Sequence, residues 1–419
     1  MASTIRLQSC PKHGNTLKDI HFLPIWRDRN NTLDSYRSKS LTLTLKISVQ
    51  RKQRGMTMRG NFNLTRRGFL GASAGLATVA TLGGGGKVLA AGTGKIGFAM
   101  ETFTVPRWKN LDRPSFEKAV KAAGFEPIVN QADFKVEQQL ADVENMLTVG
   151  VDALAIVAVV AEAGINMAKR AKRAGVPVLA YNTAIPSKDV DVYVARNNRG
   201  VGRKAAQAAL DVGVLKGNWV VTSGQAGNTV AEEITKGYYD IMQPLIDKGE
   251  LKVVSHLFHD GWDPDAARRQ AEDSLTANNN KIAGFLCNND GMAGGVIGAL
   301  EKVGLAGKVF VTGQDATIEG CRHILLGNMA LSSFTLFDQM GKISGELCAK
   351  LAKGEPLGIK ETYDAGNGVT LPYVPVEDRN ITRDNMVEYL KAYSPVYVDT
   401  RAILDNVPKD KWPAGANKL

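Results

Sequence analysis

The sequence predicts an α/β protein whose body is two doubly wound parallel-sheet lobes. Three observations point there. From Lys95 onward short apolar runs alternate with amphipathic stretches, the pattern of βαβ units in a parallel sheet. Gly124, Gly150 and Gly175 each stand where a helix should stop and a positive φ is needed. Strand candidates fall into two sets, and open twisted sheets rarely exceed ~10 strands, so two lobes are favoured over one large sheet.

In the first half, strands are expected at Lys95–Met100, Glu126–Asn130, Ala153–Val160, Pro177–Tyr181 and Val190–Ala195, with helices at Ser115–Ala123, Val136–Val149 and Ala161–Ala174. The second half repeats the logic. Strands are expected at Trp219–Ser223, Leu251–Leu257, Ile282–Cys287, Val309–Thr312 and Ala330–Phe334. Helices are expected at Ala231–Lys248, Pro264–Ala277, Gly291–Val303, Ile318–Leu326 and Gln339–Lys353. The resulting division places 95–200 plus 335–368 in an N-terminal lobe and 201–334 plus 369–395 in a C-terminal lobe. Pro395, Pro408 and Pro413 suggest that 396–419 is an extended C-terminal strap.

The chain of 419 residues carries a formal charge of +10, unevenly spread. Residues 1–90 hold 15 Lys/Arg and 3 Asp/Glu, a net of +12, which leaves 10 − 12 = −2 on the rest. The body therefore offers no electrostatic case for a nucleic-acid partner. Thr65-Arg66-Arg67-Gly68-Phe69-Leu70, the apolar run Ala72 to Leu82 and Val88-Leu89-Ala90 read as a twin-arginine-like signal peptide over 56–90, cut after about Ala90 and too short to span a membrane. Residues 1–55 lack periodicity and are expected to be a disordered or untranslated extension. Cys10 lies in this leader, and Cys287, Cys321 and Cys348 show no CxxC spacing, as expected of small core residues rather than a metal site.

No GxGxxG opens a helix after a strand, GxxxxGK[ST] and HExxH are missing, and there is no GxSxG nucleophile elbow, the one GxSxG pattern (Gly71–Gly75) lying in the leader. Only His256, His259 and His323 follow the leader. Binding rather than turnover is expected, with no cofactor and no catalytic residue. In doubly wound sheets the ligand sits beyond the carboxyl ends of the strands. The residues there are Glu101, Thr102, Arg107 and Trp108; Asn182 and Thr183; Gln225 and Asn228; Asp260 and Trp262; Asn288, Asn289 and Asp290; Gln314 and Asp315. Planar amides and carboxylates can bond vicinal hydroxyls, Arg supplies a fixed fork of donors, and an indole stacks on the C–H face of a sugar ring. Asn289 or Asp290, Asp260 or Asp263, and Asp315 ahead of Ile318 would serve equally as helix N-caps, so the case rests on clustering at several strand ends.

Around these residues the chain resembles the xylose-binding branch of the periplasmic sugar-binding proteins that serve ABC importers. The resemblance runs from about Lys95 to Arg383. Its most specific segments are Asp260-Gly-Trp262, Leu275-Thr-Ala-Asn-Asn-Asn-Lys-Ile282, Asn289-Asp-Gly-Met-Ala-Gly-Gly295 and Gly313-Gln-Asp315, with Arg107-Trp108 and Val178-Leu-Ala-Tyr181 in support. It implies the type I periplasmic binding protein fold, with Arg107, Trp262, Asn289 and Asp315 against the sugar. The ligand-binding set expected is Glu101, Arg107, Trp108, Asn182, Asn228, Trp262, Asn289, Asp290 and Asp315. It also implies a three-segment hinge near Asn197–Val201, Thr335–Asp338 and Gly366–Thr370, and a monomer that delivers its ligand in the periplasm to a membrane permease with its ATPase. The pattern departs from the xylose binders at Asn182-Thr183, around Asn228-Thr229-Val230 and at Thr335. The binding role therefore carries over and D-xylose itself does not; another monosaccharide or a polyol fits as well. A receptor for a sensor kinase or chemoreceptor is the alternative, and a regulator of the same core would need a helix-turn-helix in place of the leader.

Overall fold

The computed structural model describes residues 94–419. The expected leader over 56–90 and the extension before it lie outside the described residues. The elements in chain order are β1 Lys95–Met100, α1 Arg113–Ala122, β2 Glu126–Gln131, α2 Val136–Val149, β3 Ala153–Ile156, α3 Ala161–Arg173, β4 Val178–Tyr181, β5 Val192–Ala195 and α4 Asn198–Asp211. Then come β6 Gly217–Ser223, α5 Thr229–Asp247, β7 Leu251–Phe258, α6 Pro264–Ala277, β8 Gly284–Cys287, α7 Asp290–Lys302, β9 Phe310–Gln314, α8 Ile318–Leu326 and β10 Leu331–Thr335. Finally α9 spans Phe337–Lys353, β11 Thr362–Gly366, β12 Val369–Pro375, β13 Asp378–Ile381, α10 Met386–Tyr393 and α11 Thr400–Leu404.

Two sheets result. The first has 7 strands in the order β11-β12-β5-β4-β3-β1-β2, and the second has 6 in the order β13-β10-β9-β8-β6-β7. All pairings are parallel except β11 with β12 and β10 with β13, each at a sheet edge. The central strands read as unbroken buried apolar runs, such as Ala153–Ile156, because helices cover both faces. Cys287, Cys321 and Cys348 are buried in β8, α8 and α9. The chain passes between the sheets three times, at Ala195–Asn198, Thr335–Phe337 and Pro375–Asp378.

Three features differ from expectation. The expected third crossing at Gly366–Thr370 is instead a hairpin turn. Gly366, Asn367 and Gly368 hold positive φ values of 87°, 53° and 70°, which fold β12 back on β11 and lay it parallel to β5. Residues 369–375 therefore belong to the first sheet. Helix α4 was not expected, because its glycines blur the periodicity. Those glycines serve packing: a Cβ on Gly202 would stand 2.0 Å from the Ile234 carbonyl of α5, and one on Gly237 2.1 Å from that of Arg199. The tail is not an extended strap either. Residues 396–419 carry α11, and Tyr397 is buried against the second lobe, donating to the Asp315 carbonyl at 3.0 Å, as Tyr389 just ahead of them donates to that of Ala316 at 2.6 Å.

Candidate functional site

The parallel strands of both sheets aim their carboxyl ends at one interlobe cavity of about 350 Å³, its mouth included. From the first lobe come Glu101 past β1, Arg107 and Trp108 ahead of α1, and Asn182 past β4. The second lobe contributes Asn228 before α5, Trp262 past β7, Asn289 before α7 and Asp315 past β9. These eight expected residues line the cavity together, with Val105, Phe134, Val230 and Gln314. Gln314 was legible as a strand end. Val105 and Phe134 were not, since loop apolar residues carry no periodic signal.

Asp290, the ninth expected residue, does not line the cavity. Its carboxylate turns into the second lobe and accepts from the Ser332 hydroxyl at 2.6 Å, the Thr317 amide at 2.8 Å and the Thr317 hydroxyl at 3.1 Å. Burial pushes its pKa up to about 7. Two glycines make the space, because a Cβ on Gly313 or Gly320 would stand 2.2 or 2.1 Å from that carboxylate. The capping alternative holds for Asn289 and for Asp263, which caps α6 by accepting from the Asp265 amide at 2.8 Å, and Asn228 is a cap that was not expected. Asn289 Oδ1 accepts from the Met292 amide at 2.9 Å, and Asn228 Oδ1 from the Val230 amide at 3.0 Å. Asn289 and Asn228 each cap a helix and line the cavity; Asn289 Nδ2 has no partner among the described residues, whereas Asn228 Nδ2 is engaged by the Val159 carbonyl.

Arg107 is held rigidly. Its Nε and Nη2 donate to Asp112 at 3.1 and 2.6 Å, its guanidinium lies 3.9 Å from the Trp108 ring centre and 3.5 Å from that of Phe337, and Tyr181 donates to Asp112 at 2.6 Å. Burial works against the Arg107 charge, but Asp112 more than offsets it, so its pKa stands above the ordinary value. Nη1 reaches Asn182 Oδ1 at 3.4 Å. Among the described residues no cation bonds Glu101; its one side-chain hydrogen bond is from Asn228 Nδ2 at 3.5 Å, across the lobes. Burial pushes its pKa up to about 8, Arg107 lowering it only in part while Asp315 and Asp112 add to the rise. The Glu101 carboxyl is therefore mostly protonated at pH 7, able to donate one hydrogen bond and accept others.

Several polar groups here are incompletely satisfied. Trp262 Nε1 is buried with no partner among the described residues. The Asp315 side chain accepts one hydrogen bond, from Gln314 Nε2 at 3.2 Å. Asn182, Trp262 and Asp315 all hold positive φ, 61°, 56° and 95°, a strained geometry that clusters at ligand sites. The lobes also touch directly: Asn228 Nδ2 donates to the Val159 carbonyl at 3.1 Å, and the Ala161 amide to that of Gly227 at 2.9 Å. Among the described residues no group of three His, Cys, Asp or Glu side chains is placed to hold a metal ion.

Comparison with known proteins agrees with this fold. Residues 96–356 match the family model described as periplasmic binding protein domain. The D-xylose-binding periplasmic protein of Escherichia coli (strain K12) is 35% identical over 272 residues, covering 65% of this chain and 82% of that protein. That of Haemophilus influenzae is 30% identical over 316 residues, covering 75% and 89%. A crystal structure of an ABC transporter solute-binding protein from Clostridium phytofermentans with bound β-D-glucose superposes with a TM-score of 0.65 at 26% identity, covering 75% of this chain and 100% of that one.

Proposed function

This chain belongs to the periplasmic binding protein family, as a xylose-binding-like member that binds rather than transforms its substrate, and from that premise we propose that it captures a monosaccharide or polyol by closing two lobes over it. The ligand class is a xylose-like pentose or a related sugar. Capture takes place in the periplasm, after export by the twin-arginine route, and the closed complex delivers its cargo to an inner-membrane ABC permease driven by its ATPase.

One observation carries the reading. Polar side chains from both lobes converge on one small cavity, and several retain hydrogen-bonding capacity that a hydroxylated ring would use. Because the lining comes from both lobes, a ligand makes its full contact set only when they are together, and its differential affinity shifts the population toward closure. Trp108 and Trp262 offer apolar faces to ring C–H groups. The Asn182-Thr183 pair, where xylose binders carry Asp-Arg, makes the match to D-xylose itself the point to be tested.

A thermal-shift panel of pentoses, hexoses and polyols provides the test. A true ligand at 100 times its Kd adds about 2.7 kcal/mol, or roughly 4 °C for a body of this size. A panel in which no sugar or polyol raises the melting temperature refutes the proposal.

A further inference from the structure

Arg196 follows β5 at the first crossing between the sheets, and only 1% of its surface is exposed. Its Nη1 donates to Thr335 Oγ1 at 3.0 Å, at the second crossing, and its Nη2 to Gln314 Oε1 at 2.7 Å. Both partners are neutral, and Nε is buried with no partner among the described residues. A buried cation held only by neutral groups is destabilising. Burial and nearby Arg107 pull its pKa down to about 10, so it remains charged at pH 7. Arg196 is not itself among the residues that line the cavity, yet its bonds lead there. Gln314 Nε2 donates in turn to Asp315 Oδ1 at 3.2 Å. With its oxygen engaged by Arg196, the Gln314 amide has one orientation open to it, and that orientation points its N–H at Asp315.

We propose that Arg196 is a positioning residue: rooted in the first lobe, it orients Gln314 and through it the Asp315 carboxylate of the second lobe, so that the crossing between the lobes sets the geometry of a ligand-binding acid. The chain joins two crossings to the cavity through three consecutive hydrogen bonds. Asp315 depends on outside support because its φ of 95° is strained and its side chain accepts from no other residue among those described. Its backbone is tied by its own amide to the Ser333 carbonyl at 2.7 Å and by the Ala316 amide to Ser332 Oγ at 2.8 Å. The ligand-binding part of this inference rests on the proposed function; the mechanical part does not.

The test therefore has two arms. In the first, amide hydrogen exchange of Asp315 and Ala316 is followed in wild type, Arg196→Met and Arg196→Lys with no ligand added. Arg196→Met is expected to exchange these amides ~10-fold faster or more, and Arg196→Lys to fall between, since one ammonium cannot hold both partners. Where Arg196→Met does not fold, Arg196→Lys against wild type carries the same comparison. In the second arm, D-xylose, D-glucose and xylitol are titrated calorimetrically into wild type, Arg196→Met, Gln314→Leu and the double variant. Each single change is expected to weaken the best probe ~10-fold, with the double no weaker than ~10–20-fold, the non-additivity of a serial chain. A lowered melting temperature with unchanged exchange and affinity, or a double variant ~100-fold weaker, overturns the proposal. If wild type binds none of the probes, the proposed function falls and the exchange arm alone decides the chain.

Discussion

Replacing Glu101 by Gln should flatten the pH dependence of stability. Glu101 is buried among cavity residues, and burial raises its pKa from 4.5 to about 8. The folded state thus holds a proton that the unfolded state gives up near pH 4.5. Between these values the unfolded state binds fewer protons, so stability falls as pH rises, and the loss is complete above about pH 8. At about 1.36 kcal/mol per pH unit, the interval sets a ceiling of about 5 kcal/mol, or roughly 7 °C of melting temperature for this body. Asp290, with its pKa raised to about 7, adds a second contribution of the same sign. Glu101→Gln keeps the shape and the Asn228 contact while removing the titration. Melting curves of both proteins from pH 5 to pH 9 provide the assay. The variant should gain on wild type steadily from pH 5 to 8 and hold its advantage above. Parallel curves would refute the reasoning, because they would mean that Glu101 has the same proton affinity folded and unfolded.

Two further outcomes follow from the site. Trp262→Phe keeps an aromatic face and removes the unpartnered Nε1–H, so the melting temperature measured without sugar should hold while sugar affinity drops ~5–30-fold by calorimetry, the equivalent of about 1–2 kcal/mol. Asp112→Ala leaves Arg107 charged, buried and without its carboxylate, so denaturant unfolding should show a loss of about 3–5 kcal/mol.

The body's alternation of strands and helices was legible because it is local. A buried parallel strand is an apolar run, and a left-handed glycine marks a helix end, as Gly150 does with φ 81°. The site was largely legible for a related reason. Strand carboxyl ends converge by topology, so Glu101, Asn182 and Asp315 could be placed without knowing what they touch. Tertiary structure decided the rest, where two neighbouring placements were equally good locally. Asp290 is one residue from Asn289, and only the clearance at Gly313 and Gly320 turns its carboxylate inward rather than toward the cavity. Strand β12 could have crossed to either sheet; the turn at Gly366–Gly368 and its pairing with β5 keep it in the first. Arg196 has no local signature at all, for its role consists of two partners 118 and 139 residues away in the chain. Periodicity reports which face of an element is buried, whereas contacts between distant elements depend on how the elements dock, and that is settled only when the whole chain packs.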